Sequence, residues 1–314
     1  MEVGYFLSSE EWGPKEIVDI AGMAAGSGIY RFWISDHYHP WTEEQGSSPF
    51  VWGVIGALSR AVPRVRVTTA VTCPTLRIHP AIIAQAAATS AILLEGRFVL
   101  GVGSGEALNE HILGTVWPET AVRLEMLEEA VGIMRSLWAG GFVSHYGKHY
   151  TVRKARVYDL PDEPVPVYMS AFGDKSLRLA RRIADGFITT SPDADSVRSF
   201  KKDNGGPAQA GLKVCWAPDE EEARKTAHRI WPNEVLPGEL AQELAVPAHF
   251  EQASQLVTQD MLGESIPCGP DPEPYVKAIK EYEQAGFDEL YLQQIGPRQE
   301  EFFQFLNREL RPRL

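Results

Sequence analysis

Short runs of β-branched and aromatic residues alternate along the whole chain with stretches in which apolar residues recur at helical spacing. Most of the short runs end in or beside Gly, Ser, Thr or Asp. This alternation is typical of repeated strand–helix units. The pattern predicts eight strands, at residues 3–7, 32–35, 65–71, 98–102, 165–170, 186–190, 212–217 and 289–293. We therefore expect an α/β fold, a (β/α)8 TIM barrel in one domain over residues 1–314.

The helical stretches carry apolar stripes, as expected for helices that pack on the outside of a barrel. The two clearest stripes are Leu124, Leu127, Val131, Met134 and Trp138, and Phe302, Phe303, Phe305, Leu306 and Leu310. Three connections are longer than a tight βα loop, at residues 37–53, 104–120 and 232–271. Long loops of this kind usually build the pocket at the C-terminal face of a barrel. Residues 140–148, which begin with two glycines, predict a hairpin insertion before the fifth strand.

The composition is that of an ordinary globular protein, with 44% hydrophobic and 23% charged residues. The net charge of −12 and the pI near 5.2 argue against nucleic acid or an anionic membrane as a partner, since both would be repelled. The start of the chain shows no signal peptide, and no apolar window approaches the roughly 20 residues that span a bilayer. The three cysteines are far apart, so they predict neither a disulfide framework nor a thiolate zinc site. We expect a cytoplasmic protein that acts on a small molecule and uses no metal.

An acid, two imidazoles and an indole follow the second predicted strand, in segment 34–41. In a barrel, this strand end lies at the face where side chains meet substrate. His37 can act as a general base near neutral pH, and Asp36 beside it can orient its ring. The alternative is that Asp36 caps a turn and His37 forms only local hydrogen bonds. The position at the expected catalytic face favours the functional interpretation.

A glycine-rich segment, residues 101–110, follows the fourth predicted strand. Its glycines let the backbone approach a planar ring or a phosphate closely, and Glu106 is then aimed at the barrel mouth. The spacing G-x-G-x-G differs from the dinucleotide fingerprint G-x-G-x-x-G, and no acidic residue about 20 positions later completes a Rossmann unit. A plain turn is the alternative interpretation.

The connection after the fifth predicted strand, residues 170–176, leads into a helix with apolar residues on one face. Free N–H groups at such a helix start suit a phosphate. An N-cap formed by Asp174 explains the same residues about as well.

Two rival chemistries for this fold each lack a required partner. A metal-dependent hydrolase would use His37 and His39 as ligands, but the fifth and sixth predicted strands end in serine and threonine instead of further histidines. A retaining glycosidase would use Glu110 as its acid, but the seventh predicted strand supplies no second carboxylate at its end.

Segments 35–41 and 101–110 together resemble the luciferase-like (β/α)8 oxidoreductases that use the deazaflavin coenzyme F420. The branch that the chain resembles most is the one containing F420-dependent glucose-6-phosphate dehydrogenase. Supporting segments are residues 74–75, 79–85, 127–135, 165–168 and 185–188. The resemblance extends from residue 1 to about residue 191 and is thin afterwards.

The resemblance implies roles that spacing alone does not provide. His37 would be the base that takes the substrate hydroxyl proton as hydride leaves carbon for C5 of the cofactor. Trp41 would wall the reacting centre, and Glu106 would exchange a proton near N1 of the ring. A non-proline cis peptide bond is implied between Ala70 and Val71.

The resemblance also implies a cofactor site, in which Asp36 would contact the ring system and the loop at Gly173 would hold the cofactor phosphate. The implied cofactor-binding residues are Asp36, Ala70, Val71, Ser104, Gly105, Asn109, Phe172, Gly173 and Thr190. The family habit implies a homodimer.

The chain departs from the resemblance where the sugar-phosphate dehydrogenase has basic residues for the substrate phosphate. Those positions are Asp193 and Ser265 in this chain. Each lost charge-assisted bond is worth roughly 1.5–3 kcal/mol. We therefore expect hydride transfer to or from a non-phosphorylated alcohol or sugar. The alternatives are an F420-dependent reductase of an enone or imine, an FMN-dependent monooxygenase of the same family, and a barrel that binds the cofactor without turnover.

Overall fold

The computed structural model describes residues 1–314, apart from the side chain of Asn204. The strands in the described chain are β1 (Glu2–Leu7), β2 (Arg31–Ile34), β3 (Arg66–Thr69), β4 (Phe98–Val102), β5 (Val143–Tyr146), β6 (Thr151–Ala155), β7 (Val167–Ser170), β8 (Gly186–Thr189), β9 (Ala208–Val214) and β10 (Glu289–Gln294). The helices are α1 (Pro14–Gly26), α2 (Val51–Ala61), α3 (Pro80–Leu93), α4 (Ala107–Glu110), α5 (Thr120–Trp138), α6 (Asp174–Ile183), α7 (Ala194–Asn204), α8 (Glu220–Ile230), α9 (Leu240–Glu243), α10 (Pro247–Ser254), α11 (Gln259–Gly263), α12 (Glu273–Ala285) and α13 (Gln299–Phe305).

Parallel strands close into a barrel in the order β1-β10-β9-β8-β7-β4-β3-β2. Helices follow the strands around this ring, so the predicted (β/α)8 TIM barrel is confirmed. Strands β5 and β6 form a separate antiparallel hairpin, which was predicted at residues 140–148 and extends further, to Ala155.

The predicted strands coincide with the barrel strands, and the largest error concerns the seventh. It was predicted at residues 212–217, whereas β9 begins at Ala208 and ends at Val214. The start of β9 contains Ala208, Ala210 and Gly211, which carry no strand signal in the sequence. Gly211 must be small because the Trp33 ring fills the barrel interior beside it, whereas Ala208 and Ala210 are buried in the main hydrophobic core.

The barrel interior is packed by aromatic rings that lie against glycines on other strands. The rings of Trp33 and Tyr291 stack at 4.8 Å between centroids. A Cβ atom at Gly211 would lie 2.7 Å from the Trp33 ring, and one at Gly4 would lie 2.6 Å from Tyr291. Because Trp33 on β2 reaches Gly211 on β9 across the barrel, Gly211 faces the interior.

The amino-terminal end of the barrel is closed by a partly buried ionic cluster around Glu289. Arg66 donates to Glu289 at 2.8 Å, and Arg31 approaches the same carboxylate at 3.4 Å. The hydroxyl of Tyr291 also contacts Glu289. With this end filled, a small molecule has access at the carboxyl end, where the long loops lie.

The connection predicted as a long loop at residues 232–271 contains the short helices α9, α10 and α11. Val257, Leu262 and Ile266 from this region are buried together with Trp231. This apolar cluster is the physical reason that the segment is ordered into helices instead of an irregular loop. Within the described residues, no helix combines the length and the apolar character that crossing a membrane requires.

Candidate active site

His37 faces a buried carboxylate at the carboxyl ends of β1 and β2. Its Nδ1 lies 3.2 Å from Oε1 of Glu10, and the two side chains are only 9% and 3% exposed. The other carboxylate oxygen of Glu10 accepts hydrogen bonds from the hydroxyls of Ser8 at 2.9 Å and Ser35 at 2.8 Å. Glu10 is thus held in place, and Nε2 is the ring nitrogen of His37 that is turned away from it.

Glu10, and not Asp36, is the carboxylate that lies beside the His37 ring, which corrects our expectation from the sequence. The contact is an ion-pair approach, since Nδ1 of His37 makes no hydrogen bond within the described residues. Although Asp36 and His37 are consecutive, their side chains have different partners, Arg77 and Glu10 respectively. Glu10 was missed because it is distant from His37 in the chain. The polar residues 8–11 follow β1 directly, just as segment 34–41 follows β2, so they too mark a strand end at the catalytic face.

Asp36 instead belongs to a buried ionic network with Arg77 and Glu110. Arg77 donates to Oδ1 of Asp36 at 2.8 Å, and Thr72 donates to Oδ2 at 2.8 Å. The Nε atom of Arg77 lies 3.5 Å from Glu110, which is 0% exposed. Burial raises the pKa of Glu110, while the main-chain N–H and the charge of Arg77 oppose that rise. Arg77, which we did not predict, therefore compensates two buried acids.

Trp41 lies beside His37 and forms part of the wall at this edge. The two rings meet edge to face at 5.0 Å between centroids. On its other side, Trp41 packs against Phe250 of α10 at 5.1 Å. The helical insertion therefore supports the side chain that covers His37.

Asn109 joins segment 34–41, which carries His37, to segment 101–110, which is rich in glycine. Its Oδ1 accepts hydrogen bonds from the main-chain N–H groups of Tyr38 at 2.8 Å and His39 at 3.1 Å. Its buried Nδ2 has no hydrogen-bond partner among the described residues. Asn109 thus holds the His37 loop against α4 and keeps one donor available.

The glycine-rich segment packs directly against the end of β3. The hydroxyl of Thr69 donates to the carbonyl of Gly101 at 2.9 Å and accepts from its N–H at 3.0 Å. A Cβ atom at Gly101 would lie 1.9 Å from the Thr69 carbonyl oxygen, so a larger residue does not fit. The peptide bond between Ala70 and Val71 is cis, as the family resemblance implied.

Gly105 has a φ of +85°, and a Cβ atom there would lie 2.5 Å from Sγ of Cys73. Glycine is thus required both by the backbone conformation and by the space. Ser104 and Glu106 flank it and are partly exposed, and Glu106 occupies the N-cap position of α4. Glu106 thus follows the carboxyl end of β4, and its role at the barrel mouth stays a prediction.

The predicted phosphate-binding loop lies at the start of α6. Gly173, and not Asp174, is the N-cap residue, so the alternative of an Asp174 cap is wrong. Ser176 accepts a hydrogen bond from the Gly173 N–H and donates one to its carbonyl. Phe172 is 65% exposed, and the space at Gly173 is open. Thr190, after β8, is also exposed, and its carbonyl accepts a hydrogen bond from Tyr282.

Glu11, a second acid after β1, links this part of the mouth to the junction after α8 and to the end of β10. It accepts hydrogen bonds from Trp231 Nε1 at 2.6 Å, from Gln293 Nε2 at 3.1 Å and from the N–H of Gly296 at 2.8 Å. Burial raises the pKa of Glu11 to about 6. Glu11 was not predicted from the sequence either, because its hydrogen-bond partners come from distant parts of the chain.

Comparisons with known proteins agree with this arrangement. Residues 1–289 match the family described as luciferase-like monooxygenase. The chain is 35% identical to the F420-dependent glucose-6-phosphate dehydrogenase of Microbacterium testaceum, covering 100% of this chain and 97% of that protein. It is 36% identical to the enzyme of the same name from Nakamurella multipartita, covering 99% and 96%.

Among solved structures, an F420-dependent secondary alcohol dehydrogenase in complex with an F420-acetone adduct is similar at a TM-score of 0.91. The two chains are 29% identical, and the match covers 99% of this chain and 98% of the other. The chain therefore belongs to the luciferase-like family, in the branch whose members include F420-dependent oxidoreductases.

Proposed function

We propose that this protein is an F420-dependent oxidoreductase that moves hydride between C5 of the deazaflavin and the carbon of a non-phosphorylated alcohol or sugar. The observation that carries the proposal is the buried His37–Glu10 pair at the barrel mouth. A carboxylate that stabilises a protonated imidazole makes that imidazole an effective acceptor for a hydroxyl proton. The F420-dependent relatives named above support the choice of cofactor.

The residues at the mouth fit this cofactor. Gly173 and the N–H groups at the start of α6 suit its phosphate, since the space there is open and the helix dipole favours an anion. The free Nδ2 of Asn109 provides a donor for a polar edge of the ring system. Ala70 and Val71 are partly exposed beside the buried interior rings and provide an apolar surface for the ring face.

Coenzyme F420, when bound, supplies a ring carbon that accepts or donates hydride. His37 takes or returns the hydroxyl proton at Nε2, because its Nδ1 faces Glu10. Trp41 limits the access of water to His37 by covering one edge of its ring. Glu106 exchanges a proton at its carboxylate at the other edge of the mouth.

The substrate is proposed to lack a phosphate, although the dehydrogenase relatives are named for glucose 6-phosphate. Asp193 is the N-cap of α7, where its carboxylate accepts from the N–H groups of Asp195 and Ser196. These hydrogen bonds, first of all that from the Ser196 hydroxyl, hold the pKa of Asp193 below its usual range, so it is an anion at neutral pH. Ser265 is exposed and neutral. A phosphate dianion would gain no cation at either position.

Titration of the purified protein with oxidised F420 and, separately, with FMN is expected to give saturable binding of F420 alone. The open N-terminus of α6 suits either cofactor's phosphate, so the ring system decides the preference. Absorbance changes of each cofactor measure the binding. Preferential binding of FMN would contradict the choice of cofactor, and binding of neither would remove the proposed function.

Replacement of Glu10 by Gln is expected to lower the turnover of alcohol oxidation. The amide removes the negative charge 3.2 Å from His37, so the positive charge that develops on the imidazole when it takes the hydroxyl proton is no longer stabilised. The measurement is kcat, with F420 affinity measured separately. Ser8→Ala is the matched control, because it removes one hydrogen bond to Glu10 and leaves the charge in place. A kcat for Glu10→Gln no lower than that of Ser8→Ala would show that Glu10 does not act through His37.

A further inference from the structure

Lys213 and Gln293 lie side by side on the inner face of the barrel at its mouth. They are register partners on β9 and β10, two residues beyond the pair formed by Gly211 and Tyr291. Gly211 and Tyr291 both contact the Trp33 ring inside the barrel. Because side chains along a strand alternate in direction, residues two positions further point to the same interior.

The cation of Lys213 is already neutralised by the helical insertion. Its Nζ lies 2.8 Å from Oε2 of Glu234, and the side chains are 13% and 27% exposed. The same Nζ lies 4.3 Å from the centre of the Trp231 ring. Glu234 and Trp231 both come from the junction that follows α8, so this junction determines the charge presented by β9.

The groups around this pair are acidic or neutral. Trp231 and Gln293 both donate to Glu11, which adds a negative charge at neutral pH. The Oε1 atom of Gln293 is buried and has no hydrogen-bond partner among the described residues. It is therefore an acceptor available to a hydroxyl group, whereas a phosphate would find no unpaired positive charge at Lys213.

We infer that Glu234 is a specificity-determining residue that pairs with Lys213 and selects a neutral, hydroxyl-bearing substrate over a phosphorylated one. Gln293 accepts a hydrogen bond from a substrate hydroxyl, and Lys213 is withheld from anions by its ion pair. This inference rests on the proposed function, and it names the substrate class of the same site. It makes the insertion at residues 232–271 the part of the chain that determines substrate charge.

The test is a calorimetric titration of cofactor-free protein with inorganic phosphate and with glucose 6-phosphate. Glu234→Gln keeps the shape of the side chain and releases Lys213. We expect both anions to bind this variant about tenfold more tightly than the natural protein, because Lys213 becomes available for one charge-assisted contact. The double variant Lys213→Met, Glu234→Gln is expected to return to the affinity of the natural protein.

Glu221→Gln is the matched control, because Glu221 forms an exposed ion pair with Lys225 on α8. It removes the same net charge, and we expect no gain in anion affinity. The inference is overturned if Glu234→Gln binds the anions no better than Glu221→Gln, or if the double variant keeps the gain. Glu234→Ala also removes the negative charge beside Lys213, and we expect the same gain in anion affinity. If one of the two variants folds poorly, the other still tests the inference. Since these titrations contain no F420, their failure and a failure of F420 binding are separate results.

Discussion

Replacement of His37 by Ala is expected to lower kcat for alcohol oxidation by about 10²–10⁴-fold, the range for a lost general base. F420 affinity is expected to be nearly unchanged. His37 points its Nδ1 at Glu10, which leaves Nε2 for the substrate, and no contact of this ring suggests a role in holding the cofactor phosphate. We propose that the cofactor phosphate binds at the loop of Gly173, which follows β7 and does not contain His37. Steady-state kinetics and a separate F420 titration measure the two quantities.

His39→Ala is the matched control on the same loop. The Nδ1 atom of His39 lies 2.9 Å from the carbonyl of Leu108, so this imidazole anchors the loop instead of facing Glu10. We expect a much smaller loss of kcat in this variant. Equal losses of kcat and of F420 affinity in His37→Ala would identify His37 as a binding residue and not as the base.

Replacement of Arg77 by Met is expected to lower the free energy of unfolding by about 3–5 kcal/mol, as when one partner of a buried ion pair is removed. The change leaves the carboxylates of Asp36 and Glu110 buried without their common cation. Equilibrium unfolding by urea measures the loss. Arg135→Met is the control, because the ion pair of Arg135 with Asp185 is almost half exposed on both sides. We expect that control to cost about 0–1 kcal/mol.

The loss in Arg77→Met is expected to shrink as the pH falls. Burial already raises the pKa of Glu110, and removal of the Arg77 charge takes away an opposing influence. An acid whose pKa is higher in the folded state than in the unfolded state destabilises the fold when ionised, so stability is recovered as the pH falls through the folded-state pKa. Urea unfolding of this variant in acidic and in neutral buffer measures the effect. A loss that is constant over this range, or no larger than that of Arg135→Met, would contradict the role of Arg77 as the shared cation.

The sequence alone was sufficient for those features that depend on local pattern. The alternation of apolar runs with helical stripes predicted the barrel, and the paired glycines predicted the β5–β6 hairpin. The end of β2 identified His37 and Trp41, because parallel strands in a barrel all present their carboxyl ends at one face. The motifs 35–41 and 101–110 were specific enough to identify the family. The start of β9 was missed, because alanine and glycine have little strand propensity, and the Trp33 ring that requires Gly211 comes from another strand.

What only the tertiary structure decided is which side chains are partners. From the sequence, Asp36 was the natural neighbour of His37, yet Glu10 faces that imidazole and Asp36 pairs with Arg77. Likewise, nothing near Lys213 in the chain indicates that Glu234 neutralises it. Electrostatic interactions depend on distances in space, and closing the barrel brings together strand ends that lie far apart in the chain. The sequence therefore determined the fold and the face that carries the chemistry, and the closed barrel determined which charged groups on that face are paired and how they are oriented.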